Sequence, residues 1–213
     1  MIATVFRDRV DAGQRLGRAL AGIIDGRAKV LGIARGGVIV AAEIADLIGA
    51  DLDVVIPRKL GAPGNPELGI GAVAPGVRVV DERAVRMLQV PASYIDAEVA
   101  RQEDEIARRL RAYRGDRPVP DLEARTTIVV DDGVATGVTA LAALRWARGL
   151  GASPLVFAAP VGPAGIETRL AGECDRCVVL ETPADLRAVG QWYRVFDQTT
   201  DDEVRVALRP SPG

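Results

Sequence analysis

Two adjacent carboxylates, Asp131 and Asp132, follow a short apolar run and lead into Gly133-Val134-Ala135-Thr136-Gly137-Val138-Thr139. Acids at a strand end can accept hydrogen bonds from the vicinal hydroxyls of a ribose. They can also help hold a divalent cation that a diphosphate ligates too. Successive strand residues point to opposite faces, so the two acids take different roles unless the strand has already ended. Gly133, Ala135 and Gly137 let backbone approach a ligand, Thr136 and Thr139 add hydroxyls, and residues 138–150 read as a helix. Free N–H groups at such a helix start attract phosphate, helped by the positive end of the helix dipole. The segment is a candidate holder for a sugar phosphate.

The elements that must position it are legible as a pattern. Continuous apolar runs at 29–33, 52–56, 77–80, 128–130, 155–161 and 177–180 suit strands buried on both faces. Helical patterns at 11–24, 38–48, 138–150 and 163–171 lie between them. Such alternation predicts an α/β fold, a doubly wound and mainly parallel sheet flanked by helices, with ligands at the carboxyl ends of the strands. Residues 93–114 fall outside the alternation as a long polar helix with an apolar stripe of Ile95, Val99, Ile106, Leu110 and Tyr113. Asp104–Arg108 and Glu105–Arg109 have the spacing of favourable i,i+4 pairs. That helix either docks by its one apolar face or forms a subunit contact, which would make the protein a homodimer. The Pro-rich end of the chain, 205–213, reads as a fraying tail.

At 213 residues, 48% hydrophobic and 26% charged, the chain reads as one globular domain spanning 1–213. The early apolar run at 1–6 is too short for a signal peptide and meets Arg7-Asp8-Arg9. Prolines and glycines break the longest uncharged stretch, 149–166. The expectation is a cytoplasmic protein with no membrane partner. A net charge of −2 argues against a nucleic-acid partner, and zero histidines exclude histidine bases and histidine metal sites. Cys174-Asp-Arg-Cys177 has redox or half-zinc spacing. It lacks a second pair and runs into a strand rather than a helix, so it reads as structural.

The run Val129-Val130-Asp131-Asp132-Gly133-Val134-Ala135-Thr136-Gly137-Val138-Thr139 resembles the diphosphate-sugar-binding signature of type I phosphoribosyltransferases. The resemblance implies phosphoribosyl diphosphate (PRPP) as donor, with Mg²⁺ as cofactor. Asp131 and Asp132 would face the ribose hydroxyls and the metal, and Val134, Ala135, Thr136, Gly137, Val138 and Thr139 would wrap the 5-phosphate. Ala34-Arg35-Gly36-Gly37 lies where the family keeps its pyrophosphate loop, with backbone N–H groups on the leaving group. Arg58 and Lys59 precede 60–76, a stretch with five glycines and three prolines that matches the family's mobile catalytic loop. Lys59 stands out because Lys29 is the only other lysine.

Residues 181–204 fall where the family places a hood over the acceptor. There Trp192 and Tyr193 either stack on a heterocycle or pin the segment to the core. Ala135 replaces the acid that handles a purine proton in relatives acting on 6-oxopurines, and Gly133 replaces a bulky aliphatic residue. A small nitrogen-containing acceptor other than a 6-oxopurine is therefore expected. The chief rival is a regulator with the same fold that senses PRPP or nucleotides without turnover. An unrelated hydrolase or kinase is disfavoured, because neither a P-loop nor a Gly-x-Ser-x-Gly turn is present.

Overall fold

The structure, a computed structural model, describes residues 6–24 and 28–209. In chain order the elements are α1 (Arg9–Ala21), β1 (Lys29–Ile33), α2 (Gly36–Ile48), β2 (Asp51–Val55), β3 (Arg58–Ala62), β4 (Asn65–Ala74), β5 (Val77–Val80) and α3 (Glu82–Met87). They continue as α4 (Ala92–Arg114), β6 (Thr127–Val130), α5 (Val138–Gly149), β7 (Leu155–Val161), α6 (Ile166–Leu170), β8 (Arg176–Glu181), a 3₁₀ turn (Val189–Trp192) and α7 (Asp201–Ala207).

Five strands form a parallel sheet in the order β2-β1-β6-β7-β8. Its strands alternate side chains between two apolar layers, as a sheet covered on both faces requires. Val30, Ile128, Val130 and Val156 pack with Leu16 and Leu20 of α1 and Ile44 of α2. Leu31, Val129 and Phe157 pack on the other side with Leu144 and Trp146 of α5. Winding proceeds from β1 outward to β2, then returns through β6 to β7 and β8. The strand order therefore reverses between β1 and β6, where the two loops singled out in the sequence leave the sheet side by side.

Two expectations are corrected. Residues 77–80 form a strand, but it belongs to a separate antiparallel sheet, β3-β4-β5, and not to the parallel one. Residues 60–76 are not an open loop. Most of them build the β3–β4 hairpin, with Leu60 and Ile70 to Ala74 buried and an exposed turn at Pro63-Gly64. Small residues here serve close packing: a Cβ on Gly71 would collide with the Val79 carbonyl, so the glycines that suggested hinges let strands approach.

The long helix is present as α4 and docks by its apolar stripe. Ile95, Ile106 and Tyr113 are buried against Leu60, Ile70 and Val73 of the hairpin and Val204 of α7. Its C-terminal end is tied to the sheet edge, where Arg114 Nε lies 2.9 Å from Asp53 Oδ1 and Nη2 donates to the Val54 carbonyl at 2.8 Å. Arg108 pairs with Glu105 rather than with Asp104, so Glu105 holds both Arg108 and Arg109. At the C-terminal end α7 starts with a capping box between Thr200 and Glu203 and buries Val204, so residues 205–207 of the expected tail are helix. Residues 210–213, the last of the expected tail, lie outside the described residues.

Candidate active site

Helices α2 and α5 both start in the crevice between β1 and β6. Neither has a side-chain cap nor an acid in its first turn, whereas α1 and α7 start on the side chains of Asp8 and Thr200. Uncapped first-turn N–H groups beside a topological switch point form anion sites. Arg35 precedes α2, and Gly137, left-handed at φ 75°, precedes α5. Ala135 and Thr136 are exposed on the α5 loop, and Val138 and Thr139 are half-buried.

The two loops touch. A Cβ on Gly37 would stand 2.6 Å from the Val130 carbonyl, and one on Gly36 would collide with the Asp132 carboxylate. Only glycine at both positions lets the α2 start close on the acid pair. Gly133 has the same explanation: Val189 of the 3₁₀ turn fills the space its side chain would take, so that turn replaces the expected aliphatic residue.

The acids are unequal. Asp132 Oδ2 lies 2.7 Å from Arg9 Nε, and the Asp132 carbonyl accepts Tyr193 OH at 2.6 Å. Arg9 also donates Nη1 to the Asp197 carbonyl at 2.8 Å and covers the Phe196 ring at 4.0 Å. Asp132 is thus a junction joining α1, the segment after the 3₁₀ turn and the switch point. Asp131 accepts only the N–H of Asp132, at 2.9 Å, and no cation of the protein pairs with it in the described residues. Burial, then the Asp132 charge, pushes its carboxyl well above the usual range.

Of Trp192 and Tyr193, the second is engaged elsewhere. The residue is 5% exposed with its ring against Phe6 and Phe196, its hydroxyl is spent on the Asp132 carbonyl, and burial raises its pKa. That corrects the stacking expectation for Tyr193 in favour of the anchoring one. Trp192 is half-buried, with an indole Nε1–H that has no hydrogen-bond partner among the described residues.

The basic pair also divides. Alternation on β3 sends Arg58 toward α4, where its Nε donates to Gln102 Oε1 at 2.9 Å. Lys59 goes to the opposite face, exposed, with its stem beside Gly69. Arg35 Nη1 lies 3.5 Å from Asp201 Oδ1 of α7.

Sequence reasoning missed Arg9, Val189 and Arg169, whose stem lies beside Gly137. Nothing local marks them: Arg9 stands 123 positions from Asp132, and the chain is crowded with arginine. Cys174 and Cys177 are free thiols, the latter pushed up to about 12 by burial, as befits structural cysteines. A groove of about 1210 Å³ between α2 and α7 includes no residue of either loop, so it is distinct from the candidate site.

With this geometry, residues 8–178 match the phosphoribosyl transferase domain family. The chain belongs to that family. Over 201 residues it is 47% identical to two Mycobacterium tuberculosis proteins provisionally named phosphoribosyl transferases, Rv0571c and MT0597. The match covers 94% of this chain and 45% of each relative, so the chain spans less than half of their length. It is 42% identical to TT1426 from Thermus thermophilus, with a TM-score of 0.79 and coverage of 96% and 97% of the two chains. The AQ2163 protein from Aquifex aeolicus, 11% identical with a TM-score of 0.52 over 82% of this chain and 74% of that one, shares the fold. As a phosphoribosyl transferase domain, this chain has the mainly parallel α/β sheet expected of it. No helix among the described residues is long and apolar enough to cross a membrane.

Proposed function

We propose that this phosphoribosyl transferase domain uses PRPP as donor and transfers its phosphoribosyl group to a small nitrogen nucleophile, releasing pyrophosphate. The carrying observation is the pair of uncapped helix starts, α2 and α5, converging on Asp131 at the switch point. PRPP has a phosphate at one end, a diphosphate at the other and ribose hydroxyls between. The α5 start with Thr136 and Thr139 takes the 5-phosphate, Asp131 takes the hydroxyls, and the α2 start with Arg35 takes the diphosphate.

The donor set suits Mg²⁺ only in a limited way. No group of three or more acidic or thiol ligands clusters among the described residues, and Arg9 already holds one Asp132 oxygen. Mg²⁺ commonly binds through one or two carboxylates plus substrate phosphates, which fits Asp131 and the diphosphate's own oxygens. When bound, the ion supplies charge neutralisation for the departing pyrophosphate.

The chain's own residues orient and stabilise. Backbone N–H groups of the α2 and α5 starts fix both ends of the donor, which holds the anomeric carbon toward the acceptor. Arg58, close enough to Arg35 for the two charges to interact, adds positive charge near the leaving group, whereas Lys59 lies on the opposite, exposed face of β3. Trp192, half-buried where it packs beside Phe6 and Tyr193, is the aromatic side chain proposed to meet a planar acceptor. Exposed Ala135 supplies no carboxylate for a purine proton, so acceptors other than 6-oxopurines are favoured.

The test is pyrophosphate release from PRPP with Mg²⁺ across a panel of nucleobases and amines, for the wild type and D131N. Turnover with an acceptor, lost in D131N, supports the reading. PRPP binding with no release for any acceptor identifies a sensor instead, and no PRPP binding refutes both.

A further inference from the structure

Helix α4 carries a polar stripe beside its apolar docking face. Glu98, Gln102, Glu105, Arg109 and Tyr113 recur at intervals of three and four residues and so line one side of the helix. Glu98 and Gln102 are only 8% and 4% exposed, a costly placement unless their polar atoms are satisfied. They are. Glu98 accepts Gln102 Nε2 at 2.8 Å and Arg101 Nε at 2.9 Å, and Gln102 Oε1 accepts Arg58 Nε at 2.9 Å. A carboxylate that only accepts and a guanidinium that only donates fix which way the amide points.

Further along the stripe, Arg109 Nε donates to Glu105 Oε1 at 2.6 Å, with the Arg109 side chain 15% exposed. Tyr113 OH donates at 2.6 Å to Asp201 Oδ1, the oxygen beside Arg35. One helix face therefore begins under Arg58 and ends at the partner of Arg35, the residue that opens α2. The charges do not balance: five guanidiniums, Arg35, Arg58, Arg101, Arg108 and Arg109, meet three carboxylates, Glu98, Glu105 and Asp201. Burial, then the Arg109 charge, lowers the pKa of Arg58, with Glu105 opposing and Arg101 and Arg35 adding less, as close-set cations do.

The geometry points to α4 as part of the diphosphate end of the site, with Gln102 positioning Arg58, Asp201 and Tyr113 positioning Arg35, and Arg109 adding a further guanidinium for the same anion. The ligand class is a diphosphate, free or carried by PRPP, so the inference rests on the proposed function. Phosphate recognition by forked guanidiniums gives the arginines their advantage over lysine here.

The test is calorimetric titration of the full chain with inorganic pyrophosphate and, separately, ribose 5-phosphate, at constant Mg²⁺. Removing one charge-assisted contact should weaken pyrophosphate binding about tenfold to a hundredfold in R109Q and Q102M. Ribose 5-phosphate, held by the α5 start, should bind unchanged. R109K keeps the charge and loses the fork, so it should fall between wild type and R109Q. It also serves if Q102M does not fold, as judged by circular dichroism. Pyrophosphate affinity unchanged in R109Q, or both ligands weakened alike as a merely structural helix would give, overturns the assignment to α4. Failure of the wild type to bind either ligand instead refutes the phosphoribosyl reading.

Discussion

The Arg9–Asp132 pair makes the sharpest stability prediction. R9A removes the 2.7 Å ion pair, the 2.8 Å bond to the Asp197 carbonyl and the cover over Phe196. The paired side chains are 13% and 17% exposed, between a surface pair and a fully buried one. Breaking a buried pair by deleting one partner costs about 3–5 kcal/mol, whereas an exposed pair contributes roughly 0–1 kcal/mol. Allowing for residual solvent, about 3 kcal/mol is expected for R9A. For a chain of this size that corresponds to a Tm lowered by roughly 6–12 °C. The assay is urea and thermal unfolding of R9A, D132N and the double variant. Because both singles break the same contact, the double variant should be less destabilised than the sum of the singles, with a coupling of about 1–3 kcal/mol. Strict additivity, or a Tm within about 2 °C of wild type in R9A, would refute the junction role.

Other consequences follow from the same geometry. G36A places a methyl against the Asp132 carboxylate and 2.7 Å from Arg9 Nε, so it should weaken PRPP binding and lower Tm. G22A, which meets nothing within 4 Å, should leave PRPP binding intact in the same titration. Glu105 is lowered from 4.5 to about 2, first by its bond from Arg108 and further by Arg109. Its carboxylate is favoured in the folded state, so its stabilisation is complete above about 4.5 and is lost as the pH falls toward 2. E105Q should therefore lose less stability than wild type across that window in acid unfolding. With burial holding Cys177 up to about 12, iodoacetamide at about pH 8 should label native protein far more slowly than protein in urea, and equal rates measured by mass spectrometry would contradict that.

The parallel core was legible because strands buried on both faces must be continuously apolar, and β6 and β7 have no exposed residue. The hairpin was not. Glycines at 61, 69 and 71 look like hinges in sequence, yet they allow close strand pairing, a property visible only once the partner strand is placed. The 131–139 turn was readable from residue types alone. That Asp131 and Asp132 differ was inferable from strand alternation, but which acid was engaged depended on α1. Tyr193 and Trp192 were indistinguishable as neighbours until Phe6 and Phe196 closed around one of them.

By itself the sequence determined the periodicity of the core, the acid pair between a strand and a helix, and the exclusion of histidine chemistry. These depend on local order and residue type, which a linear chain carries in full. Tertiary structure decided the strand order that sets β1 beside β6, the capture of Asp132 by Arg9, and the facing of Arg58 toward α4 and Lys59 away from it. Each of these depends on residues tens to more than a hundred positions apart. Their proximity comes from burying apolar faces across the whole sheet, and no local pattern encodes it.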